Sequence, residues 1–207
     1  MVKDRAQDQD GSDKAVLNPN FKPELIQEGV RLILEGIGED GGREGLKDTP
    51  ARVSRAFQEL CLGMYQDPKE VFTVSFQTDA KDLVSVKDIP FHSLCEHHLL
   101  PFFGTCDIVY LPGGSGRVCG ISKLARAVDI CSHRLQLQER LCDQVAQAVL
   151  EGTGARGVLV YMEAEHMCMS MRGVRKPGSK TATRALRGVF ADDTRLRREA
   201  MELIRRA

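Results

Sequence analysis

Two short segments, far apart in the chain, set the condition that any fold of this sequence must meet. Cys95-Glu96-His97-His98 packs a thiol, a carboxylate and two imidazoles side by side, and His166-Met167-Cys168 adds another imidazole and thiol. Thiolate and imidazole are the donors that a soft divalent ion such as zinc takes in a tetrahedron. Cys95 and His98 have the spacing of a short ligand pair, with Cys168 as a third donor brought in from a distant strand. Three protein ligands leave a fourth place for water, as catalytic zinc sites do. His97 and His166 are then left beside the ligands, placed to act as acid or base. If a strand runs through Cys168, then His166 and Cys168 share a face, because side chains alternate along a strand. A lone Cys-x-x-His is a weak signal, and cysteine is often a small buried hydrophobe. The second segment gives the first its weight.

The rest of the chain must build a core that holds those segments together. Its 207 residues suit one domain with an appendage, or two small ones. Residues 1–20 are polar and read as a flexible arm. Phe21, Leu25, Ile26, Ile33 and Leu34 fall near one helical face, with Pro23 suited to a first turn. Glycines at 36, 38, 41 and 42 break that helix. Asp48-Thr49-Pro50 opens a second, with Val53, Phe57, Leu60 and Cys61 at helical spacing. These two helices form an N-terminal segment over 21–66.

A catalytic domain is expected over 67–207. Strands are predicted at Val71–Phe76, Leu83–Phe91, Phe102–Leu111 and Val118–Ile121. Ser122 reads as a helix N-cap. Leu124, Val128, Cys131 and Leu135 make one apolar stripe; Leu137, Leu141, Val145, Ala148 and Val149 make another. A strand over Gly157–Ala164 leads into His166 and Cys168. Arg172–Arg184 is basic and in part loop, and Leu196–Ile204 is a terminal helix. This order indicates an α+β fold with a mainly antiparallel sheet.

Lys plus Arg equals Asp plus Glu, 29 of each, so net charge is zero. Overall charge therefore makes no case for nucleic acid or a membrane surface as partner. No apolar run approaches a membrane span, and the charged N-terminus is no secretory signal, so the expected compartment is cytoplasmic. Seven cysteines without framework spacing argue for reduced thiols. Any anion site must be local. Ser122, Lys123 and Arg126 share the first turns of a helix, whose free N–H groups receive phosphate well. Arg172, Arg175 and Lys176 follow Cys168. These cations read either as a solvated basic surface or, together, as a polyphosphate site. Gln138-Glu139 opens the next helix, where Glu139 either complements the dipole or accepts N–H bonds from a guanine edge.

Cys95-Glu96-His97-His98, Gly120 to Arg126, Arg134 to Leu141 and Glu163 to Met169 together resemble, in order, the signatures of GTP cyclohydrolase I. Arg172-Gly173-Val174, Thr181-Ala182-Thr183, and Gly38 to Leu46 with Asp48 to Val53 continue the resemblance, which covers the chain from about Phe21. It implies conversion of GTP and water to 7,8-dihydroneopterin triphosphate and formate, the entry to folate or tetrahydrobiopterin synthesis. It implies a tunnelling-fold (T-fold) domain, with an antiparallel sheet and helices on one face, behind the N-terminal helices. Assembly would be a homodecamer of two stacked pentamers. Zn2+ would be held by Cys95, His98 and Cys168, with His97 and His166 as acid–base groups. Gln138 and Glu139 would anchor guanine, while Ser122, Lys123, Arg126 and Arg172 would serve the triphosphate and ribose. The chain departs from the pattern with Asp107 where many members have histidine, with Leu135 where proline is common, and with extra cysteines at 106, 119, 131 and 142. An acidic group at 107 would alter metal affinity or pH optimum if it lay near the site. Two other readings accompany this one: a different T-fold enzyme acting on a pterin or deazaguanine, and a zinc-stabilised protein without chemistry.

Overall fold

The computed structural model describes residues 18–79, 82–114 and 116–205. Most of the arm expected at 1–20 therefore lies outside the described residues. Helices α1 (Pro23–Gly36) and α2 (Thr49–Leu60) lead into a 3-10 turn, Leu62–Tyr65. Then follow β1 (Ser75–Gln77), β2 (Val84–Cys95), β3 (Pro101–Leu111), β4 (Arg117–Cys119), α3 (Ile121–Ser132), β5 (Leu135–Gln136) and α4 (Gln138–Thr153). The chain closes with β6 (Gly157–His166), the single turn α5 (Met167–Ser170), β7 (Lys180–Gly188), the turn α6 (Val189–Asp192) and α7 (Thr194–Arg205).

The main sheet has the order β5-β2-β3-β6-β7. Its long pairs are antiparallel, and β5 joins β2 in parallel at the end of the sheet where Cys95 lies. Side-chain alternation sorts its residues onto two faces. Ile89, Phe91, Phe102, Cys106, Ile108, Tyr110, Val158, Val160, Met162 and Ala164 pack against Leu124, Val128, Leu141, Val145 and Val149 of α3 and α4. This is the sheet-and-helix layer of the α+β class. On the reverse face Val109, Leu111 and Leu159 meet Phe190, Ala200 and Ile204 of the C-terminal helices. Gly104 lets β3 and β6 approach closely, since a Cβ there would sit 1.9 Å from the Glu163 carbonyl oxygen. Gly154 ends α4 in the left-handed conformation that favours glycine at a helix C-terminus.

Several local expectations change. The strand predicted over 71–76 shrinks to β1, paired only with β4; Phe72 instead fills the space a Cβ on Gly152 would need. Ser122 is not the cap of α3: Gly120 takes the extended cap position and Ser122 sits within the first turn, making no capping bond. Leu135 leaves the helical stripe for β5. Ser93 Oγ donates to the carbonyls of Ser132 and Arg134, which draws the chain out of α3 and onto β2. Beyond Ser179 the basic stretch becomes edge strand β7. Cys168 lies in α5, after β6 has ended at His166, so strand alternation does not relate it to His166.

The amphipathic helix α1 forms where expected, yet buries no residue. Leu25, Leu32, Ile33 and Ile37 are mostly exposed among the described residues, although α1 lies against α2. All seven cysteines are free thiols. Burial pushes those of Cys131 and Cys142 up to about 12, and raises Cys106 and Cys119 as well. Among the described residues no helix is long and apolar enough to cross a membrane.

Candidate functional site

The first segment closes the β2–β3 hairpin. The Cys95 carbonyl accepts from the N–H groups of His98 (3.2 Å) and Leu99 (2.8 Å), and the Cys95 N–H donates to Leu100 O (2.8 Å). Leu99 takes a left-handed backbone, φ 55°, which a branched side chain seldom adopts and which surrounding structure must hold. The turn aims three donors at one point: Cys95 Sγ lies 3.7 Å from His98 Nδ1 and 4.0 Å from His97 Nδ1. Two ligands of a tetrahedral zinc, one sulfur and one nitrogen, stand about 3.5 Å apart by the usual bond lengths. The observed spacing of Cys95 and His98 fits that.

The second segment arrives beside it. β6 runs in the direction of β2, so His166 and α5 emerge at the same end of the sheet as Cys95. The Cys168 thiol is raised first by partial burial and then by the charge and hydrogen bonding of Cys95; Arg172 opposes the rise. A cation beside Cys168 would relieve that rise. Cys168, expected as the third donor, thus lies within electrostatic reach of Cys95. His97 belongs to the same donor cluster in this geometry, together with Cys95 and His98.

Helix α4 begins at this same end and brings the Gln138-Glu139 pair. The two residues part company. Glu139 is exposed and makes no hydrogen bond among the described residues, while its charge reaches His166. Gln138 is 2% exposed and fully engaged, bonding to His166 and to acceptors on β6 and β7. Its side-chain nitrogen is thereby committed to the sheet, where the resemblance expects both residues to anchor the base. His166 stacks on Phe102, ring centroids 4.6 Å apart and planes within 2°. Burial lowers its pKa, which Glu139 partly offsets.

Arg140, one residue on, was not singled out by sequence reasoning. Its guanidinium pairs with Glu96 of the metal turn, and also donates to Leu135 O (3.0 Å) and Gln136 Oε1 (2.9 Å). Gln136 is buried and lies i, i+4 from Arg140, the signal that was available in the sequence. The exposed loop carrying Arg172, Arg175 and Lys176 is tied back by Glu165, whose carboxylate accepts from Ser170 Oγ and Gly178 N–H.

Ser122, Lys123 and Arg126 are elsewhere. α3 ends near Cys95, where Ser93 bonds Ser132, and starts near the opposite end, where Cys119 Sγ donates to Tyr110 Oη. Twelve helical residues rise about 17 Å, so within one chain Ser122 and Lys123, in the first turn, stand far from the metal turn, while Arg126 lies midway along the helix. Asp107 is also remote. It projects from the reverse face of β3, accepts from the Asp88 N–H at 2.7 Å, and lines a cavity of about 300 Å³ with Tyr161, Glu163 and Arg205. An effect of Asp107 on the metal donors through direct contact is thereby removed. His92 and His133 form their own ring pair, centroids 4.9 Å apart.

Comparison with known proteins converges on one family. The sequence model described as GTP cyclohydrolase I matches residues 26–205. GTP cyclohydrolase 1 of Geobacillus sp. WCH70 is 54% identical over 187 residues, covering 90% of this chain and 99% of the relative. The Bacillus subtilis enzyme of that name is 54% identical over 183 residues, 88% of this chain and 96% of the relative. That of Carboxydothermus hydrogenoformans is 56% identical over 181 residues, 87% and 94% of the two chains. A turn of clustered metal donors, a half-buried imidazole beside it and a cationic loop, set on an antiparallel sheet backed by two helices, accompany this match over nearly the whole length: the chain belongs to the GTP cyclohydrolase I family.

Proposed function

We propose that this protein converts GTP and water to 7,8-dihydroneopterin triphosphate and formate in the cytoplasm, as a zinc enzyme. The observation that carries the reading is the meeting, at one end of the sheet, of Cys95, His98 and Cys168 with His166 and Glu139. It gives metal donors, a titratable imidazole and an unengaged carboxylate within one site. Zn2+ held by the two thiols and His98 would supply a Lewis acid that activates water.

The chain's own residues supply the rest. Glu139 presents a carboxylate that can accept two N–H bonds from the guanine edge, which adenine does not offer. Burial lowers the pKa of His166, which is placed to exchange a proton with the purine ring. His97, exposed on the metal turn, serves as a second proton-transfer group during ring opening and reclosure. Arg172, next to the metal turn, faces the ribose and phosphate end.

Ser122, Lys123 and Arg126 complete the triphosphate site from another chain. Two features support sharing: the length of α3 separates Ser122 and Lys123 from their own chain's metal turn, and α1 exposes apolar side chains that a neighbour would cover. The assembly we infer is the homodecamer of two stacked pentamers. Incubation with GTP, with zinc quantified per chain, tests the reading. A fluorescent pterin after oxidation, with formate in equal amount, is expected. A zinc-loaded protein that leaves GTP unchanged overturns it.

A further inference from the structure

We propose that Gln138 is a positioning residue, fixing His166 in the tautomer that carries its proton on Nε2 and leaves Nδ1 as the nitrogen for substrate. This rests on the reading of His166 as a proton-transfer group for GTP, and assigns Gln138 a task other than holding the base.

The inference follows from which atoms can donate. The Gln138 amide nitrogen is surrounded by Thr181 O at 2.9 Å, Met162 O at 3.2 Å and Thr183 Oγ1 at 3.2 Å. Two of these are backbone carbonyls, which only accept. The amide nitrogen must face them, since turning the group over would set its oxygen against two carbonyl oxygens in a buried place. With the nitrogen fixed there, Oε1 is what lies 2.8 Å from His166 Nε2. An amide oxygen only accepts, so Nε2 is the donor. The neutral ring therefore keeps its lone pair on Nδ1, which has no protein partner among the described residues.

The remaining contacts fix the ring's plane. Phe102 stacks flat against it, and the Gln138 bond prevents rotation within that plane. Gln138 itself cannot swing, being anchored to both β6 and β7. The imidazole is thus oriented from behind by a buried amide that never meets the substrate, much as outer groups orient metal-bound histidines.

Two variants and one spectrum test this. Gln138→Leu is expected to lower kcat for GTP between about 10- and 100-fold, the loss that a misplaced group produces. KM for GTP should stay within about 3-fold, zinc content should be unchanged, and the preference for GTP over ITP should persist. Gln138→Glu keeps an oxygen facing Nε2 but sets its other oxygen against the Met162 and Thr181 carbonyls, so it should fail to restore kcat. A loss that appears in KM together with collapse of the GTP preference would make Gln138 a base contact and overturn the proposal. So would a Gln138→Leu enzyme, or a Gln138→Glu enzyme, with wild-type kcat. Should Gln138→Leu not fold, solid-state 15N spectra of histidine-labelled wild-type protein, assigned against His166→Asn, decide the matter. Nε2 protonation is expected, and Nδ1 protonation sinks the inference. Wild-type protein inert toward GTP would instead remove the functional reading, while the spectrum still reports the tautomer.

Discussion

Removing the Arg140 guanidinium should damage the protein more than removing the charge it pairs with. Arg140 and Glu96 side chains are 41% and 31% exposed, so their ion pair is partly screened and contributes at most about 1 kcal/mol. Glu96→Gln deletes only that. Arg140→Met deletes the pair and also the donor to Gln136 Oε1, an oxygen on a residue that is 1% exposed. Leaving it unsatisfied costs about 1–3 kcal/mol. The Gln136 amide cannot turn to recover, because its nitrogen is committed to Cys131 O and Gln144 Oε1. The expected cost of Arg140→Met is therefore about 2–3 kcal/mol, a fall in Tm of about 4–10 °C, against less than about 4 °C for Glu96→Gln. Thermal unfolding of both variants, at one protein and zinc concentration, is the measurement, since assembly and metal would otherwise shift the midpoint. Equal effects from the two substitutions would refute the reasoning. They would mean that the ion pair alone matters and that Gln136 finds another donor.

Cys168→Ala should lose both zinc and turnover, whereas His166→Ala should keep its zinc and lose turnover; metal analysis of the purified variants separates ligand from proton-transfer roles. For Glu139→Ala, GTP recognition should fall severely and the preference for GTP over ITP should vanish, and an unchanged preference would return Glu139 to a surface charge at a helix start. Arg126→Ala and Cys168→Ala, each inactive alone, should regain activity at about a quarter of sites when co-assembled at random across a shared interface. Zero activity from verified mixed oligomers would place both residues in one chain's site.

The metal turn and the antiparallel sheet were legible because their signals are local. Thiol and imidazole spacing reports ligand geometry directly, and alternation over residues 102–111 and 157–164 reports two buried faces. Less legible were features set by tertiary hydrogen bonds. The exit of Leu135 from its helix depends on Ser93, some forty residues upstream. The division of labour between Gln138 and Glu139 depends on β6 and β7 acceptors that adjacency in sequence does not reveal. Strand β7 was obscured because its inward positions carry Thr181, Thr183 and Ala185, too small and polar to show an apolar alternation. The apolar stripe of α1 was read correctly as amphipathic, yet amphipathicity says nothing about whose surface will cover it.

The two strand pairings that frame the site differ in loop length, and that difference orders its assembly in time. β2 and β3 are joined directly by the metal turn, so Cys95 and His98 come together with the closing of a hairpin, an event of microseconds in short chains. β3 and β6 are separated by α3 and α4, and their pairing runs from Leu111 with Gly157 to Phe102 with His166. Contacts of such wide separation carry the larger closure entropy and form late. His166 and Cys168 stand at the end of that pairing farthest from its connection. A nascent chain can thus offer a metal ion two donors before the third exists. The proposed coordination set would be completed only when the last rungs of the sheet are in place, so capture of a metal would begin before folding ends and finish as its final step.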